Sequence, residues 1–226
     1  MSTRRDFCKA GAAGLAAHAL CGGAQAKGSE KAGAPENASA GGAAAGVVVS
    51  NGADRGDYST ADFDTDREAV QQAYDDMVTT QGLPNTLILD PCNGPFVFDG
   101  PLVVWQSKTR VTGTGGTTIV PAQNYTGALI TTELREQTER GEDSVISNVT
   151  LDNLWLNGRD RAVGIKLRDL QLSTIHSVHV RSTGGPGLWL SDGCIENLFS
   201  RLILSDNCGS KEEPALLLRP ESKDRP

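Results

Sequence analysis

Between Asn148 and Leu218 the chain repeats itself, and the repeat limits what it can fold into. The apolar pairs Leu154/Leu156, Val178/Val180 and Leu202/Leu204 follow one another at intervals of 24 residues. Leu151, Ile175 and Phe199 keep the same spacing. A fourth set, Ile165/Leu167, Leu188/Leu190 and Leu216/Leu218, advances by 23 and then 28 residues, which places an insertion at Cys208–Pro214. A fixed period of 20–50 residues marks a solenoid. Within each unit apolar and polar residues alternate, the period of a strand, and no unit has room for a helix. The expectation is an all-β chain folded as a single-stranded right-handed parallel β-helix, with residues of successive coils stacked inward. One coil cannot bury its own apolar edge, whereas a stack buries them all. The right hand follows from the strong preference of parallel crossovers.

Composition narrows the function classes. The 226 residues carry a net charge of −7, or −9 once residues 1–26 are removed (18 basic against 27 acidic). Nucleic-acid binding draws on clustered positive charge, so nucleic acid is not an expected partner. Nothing after residue 30 approaches the length of an apolar membrane span. Of five cysteines, Cys8 and Cys21 fall in the leader. Cys92, Cys194 and Cys208 are an odd remainder and make no complete disulfide framework. Cys194 shares a column with Ile146 and Leu170, as a small core residue does. A Cys194–Cys208 bridge stays open, although the register sets the two at different angles around the coil.

Residues 1–26 read as a targeting leader. Arg4, Arg5, Phe7 and Lys9 are spaced as in the twin-arginine export motif, Ala10–Leu20 is mildly apolar, and Ala24-Gln25-Ala26 is a small-x-small cleavage site. Export would place the protein in the periplasm or outside the cell. A lipid anchor at Cys21 is disfavoured by His18-Ala19-Leu20. Residues 27–46 are Ala/Gly-rich and read as a linker. Val47–Val49 is a short strand. Thr65-Asp66-Arg67-Glu68 is a capping box, with Thr65 as N-cap and Glu68 reaching back. Ala69, Val70, Ala73, Tyr74, Met77 and Val78 follow at helical spacing, and Gly82 and Pro84 end the helix. Such a helix would cover the open edge of the first coil. Further strands are expected at Leu87–Asp90, Phe96/Phe98, Leu102/Val104 and around Val111 and Ile119. Gly113–Gly116 reads as a turn rather than a phosphate loop, because a strand follows it and not a helix. Thr131–Asp143 reads as an excursion from the wall. Residues 47–220 form the expected domain, with its cap at 47–86 and a charged tail at 221–226.

The order Gly52-Ala53, Gly56-Asp57, Asp64-Thr65, Ala69, Gln72-Ala73, Leu87-Ile88-Leu89-Asp90-Pro91 and Arg110-Val111-Thr112-Gly113 resembles the N-terminal part of the pectate-lyase-like right-handed β-helix superfamily, in its rhamnogalacturonase/epimerase-like branch. The resemblance spans residues 47–218 and is specific to the fold more than to the reaction. It implies an exported protein acting on a pectin-like, uronic-acid polysaccharide as a lyase or glycoside hydrolase. It also covers non-catalytic carbohydrate-binding and surface-attachment modules. About five coils precede a charged tail and no cap follows them, so the chain reads as an N-terminal portion truncated at its C-terminus.

Strand parity gives the candidate site. If Leu154/Leu156, Val178/Val180 and Leu202/Leu204 point inward, the outward face carries Asn153, Trp155 and Asn157 over Ser177, His179 and Arg181 over Arg201, Ile203 and Ser205. An exposed indole beside hydrogen-bonding groups suits a sugar ring. The substrate-binding candidates are Trp155, Asn157, His179, Arg181 and Arg201. A second outward set is Lys166 and Arg168 over Trp189 and Ser191, with Asp192 next. Glycoside hydrolysis uses two carboxyl groups flanking the bond, and neither face supplies a pair; Asp152 and Asp206 come nearest. The Asn-Thr-Asp, Asp-Asp and Gly-His-Gly motifs of the hydrolase branch are absent. A lyase would use Arg181 or Arg201 as base and would imply calcium. His176 and His179 should face opposite ways, so no metal site is assigned.

Overall fold

The computed structural model describes residues 46–52, 56–133, 145–208 and 214–219. The expected leader at 1–26, nearly all of the expected linker and the charged tail lie outside the described residues.

The chain is predominantly β. Its short strands gather into three main sheets in which every pairing is parallel. The first runs, in spatial order, through Tyr58–Ser59, Val47–Ser50, Thr86–Asp90, Arg110–Gly113, Thr150–Asp152, Thr174–His176 and Leu198–Ser200. The second holds Phe96–Phe98, Thr118–Pro121, Trp155–Asn157, His179–Arg181 and Ile203–Ser205. The third holds Leu102–Val104, Ala128–Thr132, Val163–Arg168, Leu188–Ser191 and Leu216–Leu218. A two-stranded ladder, Ile146–Ser147 with Leu170–Gln171, is extended by a bridge from Gln171 to Ile195. From Thr86 onward the chain visits first, second and third sheet in strict rotation. A strand that the sequence did not lead one to expect, Ala128–Thr132, takes in Thr131 and Thr132, which therefore belong to the third sheet and not to the expected excursion. The rest of the expected excursion, 134–143, lies outside the described residues.

The 24-residue register is present as direct pairing. Leu151 pairs with Ile175 and Ile175 with Phe199. Leu156 pairs with Val180 and Val180 with Leu204. Ile165 pairs with Leu188 and Leu188 with Leu216, and the insertion before Leu216 leaves that register intact. Leu154, Val178 and Leu202 sit just outside the strands, where the Leu154 and Val178 carbonyls accept from His179 and Ile203. The inward side chains of all three sheets share one buried cluster. Burial fades along the register: Leu156 and Val180 are fully buried, Leu204 is half-buried, and Leu218 is 68% exposed. Leu216–Leu218 has no further strand beyond it among the described residues.

At the opposite end of the ladders lies α1, Asp66–Thr79. Thr65 is its N-cap and accepts from the Glu68 amide at 3.1 Å; only this half of the expected capping box forms among the described residues. Ala69, Val70, Ala73, Tyr74 and Met77 are buried against the core. The helix also satisfies strand edges with side chains. Gln71 Oε1 accepts from the Val103 amide at 2.8 Å, and Gln71 Nε2 donates to the Val103 carbonyl at 3.2 Å. One carboxamide thus makes both bonds that a neighbouring strand would make to the edge of the third sheet. Asp66 does part of the same for the second sheet, accepting from the Val97 amide at 2.7 Å. Edge groups left unpaired invite strand addition, and these contacts remove that opening.

The turns between sheets are made by residues in the left-handed region, again 24 apart. Asn148, Leu172 and Glu196 have φ of 57°, 49° and 56°; Asn153, Ser177 and Arg201 have 53°, 52° and 50°; Ser182 and Asp206 have 49° and 50°. This corrects the parity map. Asn153, Ser177 and Arg201 belong to a corner and not to the flat outer face of a strand, because a left-handed residue turns the chain where a strand residue would extend it. At Gly113 the constraint is space: a Cβ there would collide with the Asn153 carbonyl and the Thr117 side chain. The thiols of Cys194 and Cys208 point to different carbonyls, Leu167 at 3.4 Å and Gly185 at 3.5 Å. Burial pushes the Cys194 thiol pKa up. Among the described residues, no helix is long and apolar enough to cross a membrane.

All three tyrosines of the chain titrate above their ordinary value of 10.0, with burial the largest cause in each. Tyr58 also donates to Asp76 at 2.6 Å, which favours its neutral form further. Tyr74 is fully buried, and Tyr125 is pushed up to about 12. Phenols held neutral only in the folded chain contribute stability that is complete below pH ~10 and is lost as pH rises past the unfolded value, because the unfolded chain then releases protons first. Phenolate absorbance should therefore stay flat well beyond pH 10 in the native protein. The denaturant midpoint should begin to fall from that pH upward.

Candidate functional site

The outer surface of the second sheet is built from two side-chain columns. Thr118 pairs with Trp155, Trp155 with His179 and His179 with Ile203. Two residues further along each strand, Asn157 pairs with Arg181 and Arg181 with Ser205. The alternation of strand residues thus brings together four of the five expected binding residues, Trp155, Asn157, His179 and Arg181. Arg201 is the exception. It is exposed, with a left-handed backbone, at the corner before Ile203–Ser205 and not within a strand.

Trp155 is 50% exposed. Its ring meets His179 edge-on, with centroids 5.7 Å apart and planes at 68°. His179 Nε2 lies 2.9 Å from Ser205 Oγ. The second column leads into a cleft of about 450 Å³, walled on one side by the Pro91 and Pro95 turn and the Gly115–Gly116 turn. Asn157, Arg159 and Arg181 line the other side, and the lining includes no carboxylate. Arg159 was not among the sequence-derived candidates. It sits in a left-handed turn whose amide donates to Asn157 Oδ1 at 3.0 Å. The Asn157-Gly158 pair signals a turn, but nothing in the sequence tells where the next side chain is aimed.

The remaining candidates sit elsewhere. Asp152 belongs to the outer column of the first sheet, is nearly buried, and is held by Arg110 through both Nε and the terminal nitrogen. Asp206 is at a corner. Neither is among the residues that line the cleft. His176 and His179 belong to different sheets, and no group of three or more metal-ligating side chains occurs among the described residues.

The second outward set is largely occupied with itself. Lys166 Nζ stands 4.7 Å over the Trp189 ring, and the Trp189 indole donates to the Arg219 carbonyl at 3.2 Å. Arg168 is paired with Asp169 at 3.2 Å and Asp192 at 3.8 Å. Ser191 corrects the expectation: it is buried and bonds the Leu167 carbonyl, so it is not part of an outer face. Charges already paired within the protein leave less for a ligand.

No family model matches the chain, and no curated protein matches it. Among solved structures there is similarity to ORF18 of Geobacillus virus E2, at 16% identity and a TM-score of 0.46. The match covers 63% of this chain and 27% of that one, so this chain spans about a quarter of that protein's length.

Proposed function

We propose that the three sheets are three walls of one right-handed parallel β-helix, and that the outer wall formed by the second sheet binds an acidic, uronic-acid-containing polysaccharide. The architecture is supported by the strict rotation of the chain through the sheets, the parallel pairing at 24-residue steps and the shared interior. The resemblance to the pectate-lyase-like superfamily and export by the twin-arginine route belong to the same reading. The latter rests on Arg4, Arg5 and Phe7.

One observation carries the ligand class: a half-exposed Trp155 adjoins a cleft lined by Arg159 and Arg181 and by no carboxylate, on a chain of net charge −7. The indole offers its apolar surface to a sugar ring, and the guanidinium groups offer forked donors to uronate carboxylates. Exposed ion pairs are screened by salt, so binding should weaken as ionic strength rises. Calorimetric titration with polygalacturonate and with neutral galactan checks this. Polygalacturonate should bind and galactan should not. Arg181→Ala should weaken binding about 12-fold, in line with a charge-assisted hydrogen bond worth roughly 1.5 kcal/mol. Equal affinity for both polymers would refute the ligand class.

Binding without cleavage of the glycosidic backbone is the reading favoured here, because glycoside hydrolysis uses a carboxyl pair and the cleft lining contains none. A β-elimination activity would draw on Arg181, which lines the cleft, and not on Arg201. Ultraviolet absorbance of the unsaturated product, with and without calcium, reads this out in the same samples.

A further inference from the structure

Two of the chain's three histidines each meet a serine hydroxyl, and the two pairs differ in what surrounds them. His176 Nδ1 lies 2.7 Å from Ser200 Oγ on the outer column of the first sheet. That pair neighbours Asp152, whose carboxylate is already bound by Arg110. His179 Nε2 lies 2.9 Å from Ser205 Oγ on the second sheet. Ser205 is the register partner of Arg181, which lines the cleft, and the His179 ring is packed against Trp155. A serine hydroxyl is a weak nucleophile until a base within hydrogen-bond reach takes its proton. The second pair has that base, and the strand neighbour of Ser205, Arg181, lines a cleft of about 450 Å³.

We propose that Ser205 and His179 are the nucleophile and base of an ester hydrolase that removes O-acyl groups from a saccharide held on this face. Ser205 Oγ attacks the acyl carbonyl carbon as its proton passes to His179 Nε2. The bond between the acyl carbon and the sugar oxygen then breaks, and that oxygen takes the proton from His179. A water molecule repeats the sequence on the acyl-serine, releasing the carboxylic acid and restoring Ser205. Water is the only co-reactant. Arg181 pairs with Ser205 across the sheet, and its side chain turned toward the ester would offer N–H groups to the negative charge that develops on the carbonyl oxygen.

The substrate class rests on the polysaccharide reading above; the Ser205–His179 chemistry does not, and the experiment separates them. The full chain is treated with a fluorophosphonate and mapped by peptide mass. It is also assayed on p-nitrophenyl acetate and on O-acetylated polygalacturonate, following release of acetate. The expected result is a label on Ser205 and hydrolysis of both esters. Ser205→Ala should abolish the label, and Ser205→Ala and His179→Gln should each lower the rate at least about 100-fold, with an unchanged thermal melt. Ser200→Ala should keep the rate. A label on Ser200 or on no serine, or a Ser205→Ala variant that keeps its rate, would overturn the proposal. Labelling and small-ester turnover without binding of polygalacturonate would retain the nucleophile and base and reject the acidic-polysaccharide substrate.

Discussion

Leu156→Ala is expected to destabilise the protein by about 3–4 kcal/mol, the range for removing a fully buried leucine from a core that relaxes only in part. Leu156 is fully buried in the middle of the second sheet, paired with Ile119 on one side and Val180 on the other. Both neighbours are held by their own sheet bonds and cannot close the gap. Leu218→Ala is the control. It removes the same atoms from an inward register position, but at the last strand of the third sheet, where the leucine is 68% exposed. Its cost should stay within about 0.5 kcal/mol, as for surface sites. Urea unfolding followed by circular dichroism gives both numbers. Similar costs for the two variants would mean that position along the ladder does not govern stability, contrary to the pairing described above.

Gln71→Leu is expected to cost about 2–3 kcal/mol although the volume hardly changes. The variant leaves the Val103 amide and carbonyl, both half-buried, without their side-chain partner. An unsatisfied buried polar group costs roughly 1–3 kcal/mol. Gln71 also donates to Asp75, which in turn accepts from the Trp105 indole, so the loss spreads into a small network. Gln71→Glu should do no better. It can accept from the Val103 amide, but it cannot donate to the carbonyl and it places a second carboxylate beside Asp75. For a domain of 150–250 residues each kcal/mol moves the melting point by roughly 2–4 °C, so a fall of about 4–12 °C is expected by calorimetry. A melting point unchanged in Gln71→Leu would show that the helix covers the strand edges by apolar contact alone.

How much of this was legible in the sequence depends on which residues carried the information. The 24-residue spacing of Leu151, Ile175 and Phe199 is a direct statement of register, because parallel strands at a fixed step place like positions opposite one another. The helix was legible for a similar reason: Thr65 and the apolar spacing from Ala69 to Val78 are local signals. Corners were not. Asn153, Ser177 and Arg201 share a left-handed backbone, yet only asparagine is a residue that announces one. Parity counted through a corner therefore set Arg201 in line with strand residues, whereas its backbone belongs to the bend before Ile203–Ser205. Arg159 was missed because its direction depends on a turn, and Gln71 because a glutamine on a helix gives no sign that a strand edge lies beside it. The Ser205–His179 contact joins residues 26 apart, two beyond the repeat, so a search along strict columns passes over it.

The recurring left-handed corners bear on how such a chain can drift over generations. A left-handed backbone costs an L-residue roughly 1–2 kcal/mol, with glycine and asparagine largely exempt. Leu172, Ser177, Glu196 and Arg201 therefore hold their places against a standing conformational penalty. Substitutional freedom along this chain should follow a beat of 24: permissive toward glycine and asparagine at each bend, and closed there to valine and isoleucine, the residues its strands accept most readily.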